Sequence, residues 1–98
     1  MKCFIVEGTL SKEQVEESKM QEHIAYSQKA MDAGLIVMSG LKSDMSGGLF
    51  IMKAESLEQV EEYLSAEPFR VAGIQEYRVI EYMPHYINQS PAEWFDMK

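Results

Sequence analysis

His23 is the residue of this chain best suited to moving a proton near neutral pH, because an imidazole ordinarily titrates near pH 6.5 and can serve as acid or base. It stands in a pattern with Val15, Met20, Ile24, Ser27, Ala30 and Met31, spaced largely by three, four and seven, while Glu16, Glu17, Lys19, Gln21, Glu22 and Lys29 fall mostly elsewhere. This spacing puts the imidazole on the inward face of an amphipathic helix. There it is either an acid/base in a pocket or a hydrogen-bonded core histidine, and the residues alone leave both readings open. Glu67 precedes Pro68, where a carboxylate commonly caps free backbone N–H groups or sits in water.

The remaining candidates have simpler explanations. Ser39 and Ser43 suit turn chemistry, and Tyr26 and Tyr63 suit aromatic packing as well as pocket lining. Gly47-Gly48 lacks the GxxxxGK[ST] frame of a phosphate loop and precedes a strand. His23 and His85 with scattered acids define no metal site, and Cys3, within a strand signal, is expected to be an inert thiol. Neither a metal nor an organic cofactor is expected.

The elements that must position His23 read as βαββαβ. Phe4-Ile5-Val6, bounded by Gly8, suits a strand buried on both faces or at a subunit contact. Ser11-Lys12-Glu13-Gln14 matches a capping box and predicts the start of the first helix, with Gly34 as its left-handed end. Leu35 to Met38 and Leu49 to Met52 predict a hairpin whose tip is the turn-rich stretch from Ser39 to Gly48. Ser56-Leu57-Glu58-Gln59 repeats the capping box, with Leu57, Val60 and Leu64 on one helical face. Pro68 ends that helix, and the chain passes through Ala72-Gly73 into a last strand from Ile74 to Tyr82. Ser90-Pro91-Ala92-Glu93 predicts a short tail helix, and Trp94 and Phe95 beside it are expected to dock on the domain or on a second copy.

With 98 residues, 46% of them hydrophobic, the chain is sized for one modest core, with residues 1–83 as the domain and 84–98 as a tail. A formal charge of −7 argues against nucleic acid and anionic membrane as partners, since both demand a basic face. No apolar run approaches the roughly 20 residues of a membrane span, and a single cysteine makes no intrachain disulfide, so a cytoplasmic location is expected. The βαββαβ order implies an α+β ferredoxin-like plait, a four-stranded antiparallel sheet with two helices on one face. The uncovered face is expected to pair with a second copy, giving a homodimer.

From His23 to about Tyr82 the chain resembles the YciI-like (YCII-related) domain family. The resemblance rests on His23-Ile24-Ala25-Tyr26, Ala33-Gly34-Leu35, Ser39-Gly40, Gly47-Gly48-Leu49, Ser56-Leu57-Glu58-Gln59-Val60, and Glu67-Pro68-Phe69-Arg70-Val71-Ala72-Gly73-Ile74. It implies a dimeric α+β barrel with a pocket between helices and sheet, and a catalytic His–Asp pair. The family histidine falls on His23. Its aspartate position holds Glu67, which keeps the charge, adds a methylene and needs a shifted backbone or rotamer to meet the imidazole. Leu41 stands where many members have proline.

The family includes a dehydrochlorinase of a chlorinated hydroxyquinol. The resemblance therefore implies a small cofactor-independent enzyme acting on a cyclic or aromatic small molecule through His23. The alternatives are a non-catalytic dimeric module that binds a small molecule or serves as an accessory subunit, and a monooxygenase-like plait.

Overall fold

In the computed structural model, residues 1–11, 14–90, 92 and 95 are described. Strand β1 (Lys2–Leu10) pairs antiparallel with both β3 (Gly48–Ala54) and β4 (Gln75–Tyr82), and β2 (Ile36–Leu41) closes the other edge, giving the order β2-β3-β1-β4. Helices α1 (Glu17–Asp32) and α2 (Leu57–Ser65) pack on one face, and a short helix α3 (Pro68–Val71) leads into β4. This is the α+β ferredoxin-like arrangement expected from the element order.

The core follows from the period of two along the strands and the three- and four-residue spacing along the helices. Phe4 and Val6 of β1, Met52 and Ala54 of β3 and Ile36 of β2 meet Ala30 of α1 and Val60 and Leu64 of α2, all buried. The sheet's other face carries Ile5, flanked in the ladder by Ile51 and Ile80, together with Leu49 and Tyr82. Ile5 is therefore only half-buried, and β1 is fully covered on one side alone.

The α2 N-terminus behaves as its sequence requires. Ser56 accepts from the Gln59 N–H at 3.3 Å, while the Gln59 side chain reaches back to the N–H of Glu55, one residue beyond the usual box position. Of the three residues expected on one face of α2, Val60 and Leu64 are buried and Leu57, in the first turn, is 46% exposed.

The first capping box does not form as expected. Helix α1 starts only at Glu17, with Glu16 in the cap position and no side-chain cap, and the Ser11 hydroxyl instead donates to the carbonyls of Gly73 and Ile74. A tertiary tie between the end of β1 and the α3–β4 turn thus takes the serine that local pattern assigned to the helix. Lys12 and Glu13 of that box, and Pro91, Glu93 and Trp94 of the expected tail helix, lie outside the described residues. The hairpin is also longer than expected, since Ser39, Gly40 and Leu41 pair with Phe50, Leu49 and Gly48 and extend β2 at the expense of the tip. Gly8, expected to end the first strand, lies within it opposite Tyr77.

Both α1 and α3 close with a glycine-containing turn. At α3, the N–H of Gly73 bonds the Arg70 carbonyl and the N–H of Ile74 bonds that of Phe69, with Gly73 at φ 70°. This left-handed residue lets the chain reverse within two residues and enter β4 at Gln75. Gly73→Ala is expected to cost roughly 1–2 kcal/mol, the left-handed penalty of an L-residue. Gly40→Ala, at a position where an added Cβ meets nothing within 4 Å, should stay within about 0.5 kcal/mol of the parent. Urea denaturation of the two variants beside the parent checks the difference.

Candidate functional site

Glu67 lies between α2 and α3, and its backbone is extended (φ −70°, ψ 126°), as a residue preceding proline requires. That conformation makes it the N-cap of α3, with Pro68 in the first helical turn where the missing N–H costs nothing. Oε2 accepts from the N–H of Phe69 at 2.8 Å and of Arg70 at 3.1 Å. The Tyr77 hydroxyl, from β4, donates to the same oxygen at 2.9 Å. Oε1 is hydrogen-bonded to Nδ1 of His23. The carboxylate is 2% exposed.

Capping α3 and pairing with His23 are thus performed by the two oxygens of one side chain. From this N-cap position the carboxylate reaches back over its own helix with one oxygen and toward α1 with the other. The imidazole lies flat against Phe69, with centroids 3.9 Å apart and planes within 7°. His23 is therefore held on one side by an aromatic ring and at Nδ1 by a carboxylate. Its Nε2 has no hydrogen-bond partner among the described residues.

The electrostatics follow from this packing. Burial by itself pushes the Glu67 carboxyl up, but hydrogen bonds from His23 and Tyr77, the charge of His23 and the Arg70 N–H outweigh it and hold the group below its ordinary value. Burial, reinforced by the negative charge of Glu67, drives the Tyr77 phenol far above the usual tyrosine range, so it remains a donor. Tyr63 is raised similarly by burial and by the neighbouring Tyr26 and Glu67.

His23 and Glu67 sit in the wall of a pocket of about 420 Å³ between α1, the β2–β3 hairpin and the start of β4. Leu10, Met20, Ile24, Leu41, Phe50 and Phe69 make most of its lining apolar, and Ser27, Ser39, Tyr63, Gln75 and Tyr77 supply the polar atoms. Among the described residues no lysine or arginine lines it.

Of the residues singled out from sequence, His23 and Glu67 come together, and Ser39 and Tyr63 reach the same pocket. Tyr26 stacks on Tyr63 with centroids 4.9 Å apart and donates to its carbonyl at 2.6 Å. Ser43 lies in the exposed hairpin tip, and His85 is in the tail beside Tyr86. Cys3 is half-buried on the uncovered sheet face, and burial raises its thiol above the ordinary value. No group of three or more His, Cys, Asp or Glu residues placed to hold a metal occurs among the described residues.

Tyr77, Gln75 and the stacking role of Phe69 were not apparent in the sequence. The available signal was the alternation along β4, which puts Gln75, Tyr77 and Val79 on the inward face and so commits two polar side chains to the interior.

The pH dependence of stability follows from the lowered carboxyl. The contribution of ionised Glu67 is complete above the unfolded-chain value of 4.5 and is lost as pH falls through the lower folded-state value. Wild type should exceed Glu67→Gln by roughly 1–3 kcal/mol at neutral pH, and the gap should narrow progressively below about pH 4.5. Urea midpoints of both proteins across a pH series measure it.

No curated protein matches the chain. Among solved structures, 5-chloro-2-hydroxyhydroquinone dehydrochlorinase from Burkholderia phenoliruptrix, in complex with 2,5-dihydroxybenzoquinone, superposes with a TM-score of 0.71 at 24% identity, over 83% of this chain and 93% of that one. A putative C-terminal regulatory domain of aspartate kinase from Porphyromonas gingivalis gives a TM-score of 0.52 at 9% identity, over 82% of this chain and 50% of that one. The protein At3g17210 from Arabidopsis thaliana also gives 0.52, at 17% identity, over 91% and 100%. These likenesses establish the fold. The YCII-related domain matches residues 1–83, and the chain belongs to the YCII-related family.

Proposed function

We propose that this protein is a small cofactor-independent enzyme that moves a proton on a hydroxylated cyclic or aromatic molecule, with His23 as acid/base and Glu67 as its partner. The observation that carries this reading is an imidazole bonded at Nδ1 to a carboxylate only 2% exposed, in the wall of a mostly apolar pocket. A volume of about 420 Å³ accommodates a single substituted ring, and walls such as Phe50 and Phe69 suit its faces.

Chlorinated hydroxyquinols, the compounds acted on by the dehydrochlorinase that shares this fold, are the first substrates to consider. Loss of HCl from such a ring balances without an external oxidant. One hydroxyl proton moves to the chlorine-bearing carbon, a second proton is released, chloride departs with the C–Cl electron pair, and a hydroxyquinone remains. Both protonic steps are within reach of one acid/base, which takes a proton from oxygen and returns one to carbon.

The test is chloride release and quinone absorbance with 5-chloro-2-hydroxyhydroquinone and a panel of related hydroxylated rings. His23→Ala is expected to lose about 100-fold or more in turnover while 2,5-dihydroxybenzoquinone still binds. Turnover by His23→Ala equal to wild type, or no turnover of any panel member by wild type, would overturn the reading.

A second copy on the uncovered sheet face belongs to the same proposal. Ile5, Ile51 and Ile80 form a contiguous apolar row there, continued by Leu49 and Tyr82, the last two 39% and 50% exposed. Ile80→Asp places a charge in that row and should halve the mass seen by sedimentation equilibrium. A wild type that sediments as a monomer removes the dimer.

A further inference from the structure

The hydrogen bonds around Glu67 run in one direction only. The Gln75 amide nitrogen, 2.8 Å from the Tyr77 oxygen, has only protons to give, so the hydroxyl accepts there and its single proton goes to Glu67. Oε2 then faces three donors: the N–H of Phe69, the N–H of Arg70 and the Tyr77 hydroxyl. A carboxyl hydrogen on that oxygen would confront all of them. Whatever proton the Glu67–His23 pair shares must lie between Oε1 and Nδ1, and the donors gathered on Oε2 draw charge toward the carboxylate and leave the proton on nitrogen.

The chain of contacts begins at Gly8. It lies opposite Tyr77 in the β1–β4 ladder, and a Cβ on it would stand 2.7 Å from Cδ of Gln75 and 2.9 Å from both Nε2 and Oε1. The Gln75 amide lies on bare backbone that no other residue leaves free. Gln75 is 6% exposed, so its amide has little choice of partner.

We propose that Tyr77, aimed by Gln75 lying on Gly8, is a positioning residue that acts through Glu67 to hold His23 in the tautomer with its proton on Nδ1 and its lone pair on Nε2. This rests on the acid/base reading of His23. It specifies the free nitrogen as the base that a ligand meets, and it extends the site to β1 and β4, which the His23–Glu67 pair alone does not involve.

Long-range ¹H–¹⁵N correlation on the uniformly labelled full chain, at a pH where the rings are neutral, reads the tautomer directly. His85 in the exposed tail serves as the reference in the same spectrum. Wild-type His23 is expected to carry its proton on Nδ1. Glu67→Gln should invert this: the three donors require a carbonyl oxygen where Oε2 stood, which turns the amide NH₂ toward Nδ1, makes that nitrogen an acceptor and moves the proton to Nε2. Tyr77→Phe removes one donor competing for the carboxylate, so the Nδ1 proton should resonate further downfield, and Gln75→Met should shift it less in the same direction.

A wild-type proton on Nε2, an uninverted Glu67→Gln spectrum, or an unmoved Nδ1 proton in Tyr77→Phe overturns the proposal. Tyr77→Phe and Gln75→Met keep both His23 and the Glu67 carboxylate and serve if Glu67→Gln does not fold. The spectrum is independent of turnover: the expected tautomer without turnover on the ring panel removes the enzyme reading and leaves the lock standing, whereas turnover with the opposite tautomer removes the lock alone.

Discussion

A carboxylate buried to 2% exposure is the constraint around which this small fold is arranged. An ionised group taken out of water without compensation costs several kcal/mol, a large part of the stability available to a domain of this size. Glu67 escapes that cost because four donors from three places in the chain converge on it: two N–H groups of its own short helix, a hydroxyl from β4 and an imidazole from α1. Each of those elements is thereby tied to the others through a single side chain. The stacking of His23 on Phe69 adds an apolar contact to the polar one, so the same ring is fixed in both plane and direction.

The pocket arises from the way the sheet and α1 diverge beyond this anchor. Near Ala30, the helix is packed closely over Phe4, Val6 and Met52; toward Met20 and His23 it stands away from the hairpin, whose outer residues Ser39 to Leu41 and Gly48 to Phe50 form the opposite wall. The bulge between Ile36 and Met38 and the long pairing beyond it carry that wall outward. One sheet and one helix thus border a ring-sized space, with His23, Glu67, Gln75 and Tyr77 in its wall beside α3 and β4. The Ser11 tie to Gly73 and Ile74 fixes that end, where β1 leaves the sheet and β4 begins.

Glutamate stands at position 67, where the sequence resemblance implies an aspartate. Here the N-cap geometry folds it back, so one oxygen serves the helix and the other the histidine. The cap of α3 and the partner of the proposed acid/base are therefore the same group. Substitution at Glu67 disturbs both, and only properties specific to the imidazole, such as its tautomer, separate the two.

Hydrophobic period and turn chemistry, both local, were enough in the sequence to establish the βαββαβ order, the inward placement of His23, the Ser56 cap and the glycine end of α1. The family motif around Pro68 marked Glu67 as the partner of His23. Tertiary structure decided what depends on residues far apart in the chain. Ser11 serves a turn more than 60 residues away instead of a helix cap, Gly8 is an interior strand residue because Gln75 lies on it, and Tyr77 belongs to the site because the β1–β4 register brings it over Glu67. Register is set by the packing of whole strands, and no window of sequence around Tyr77 contains the carboxylate that gives its hydroxyl a purpose.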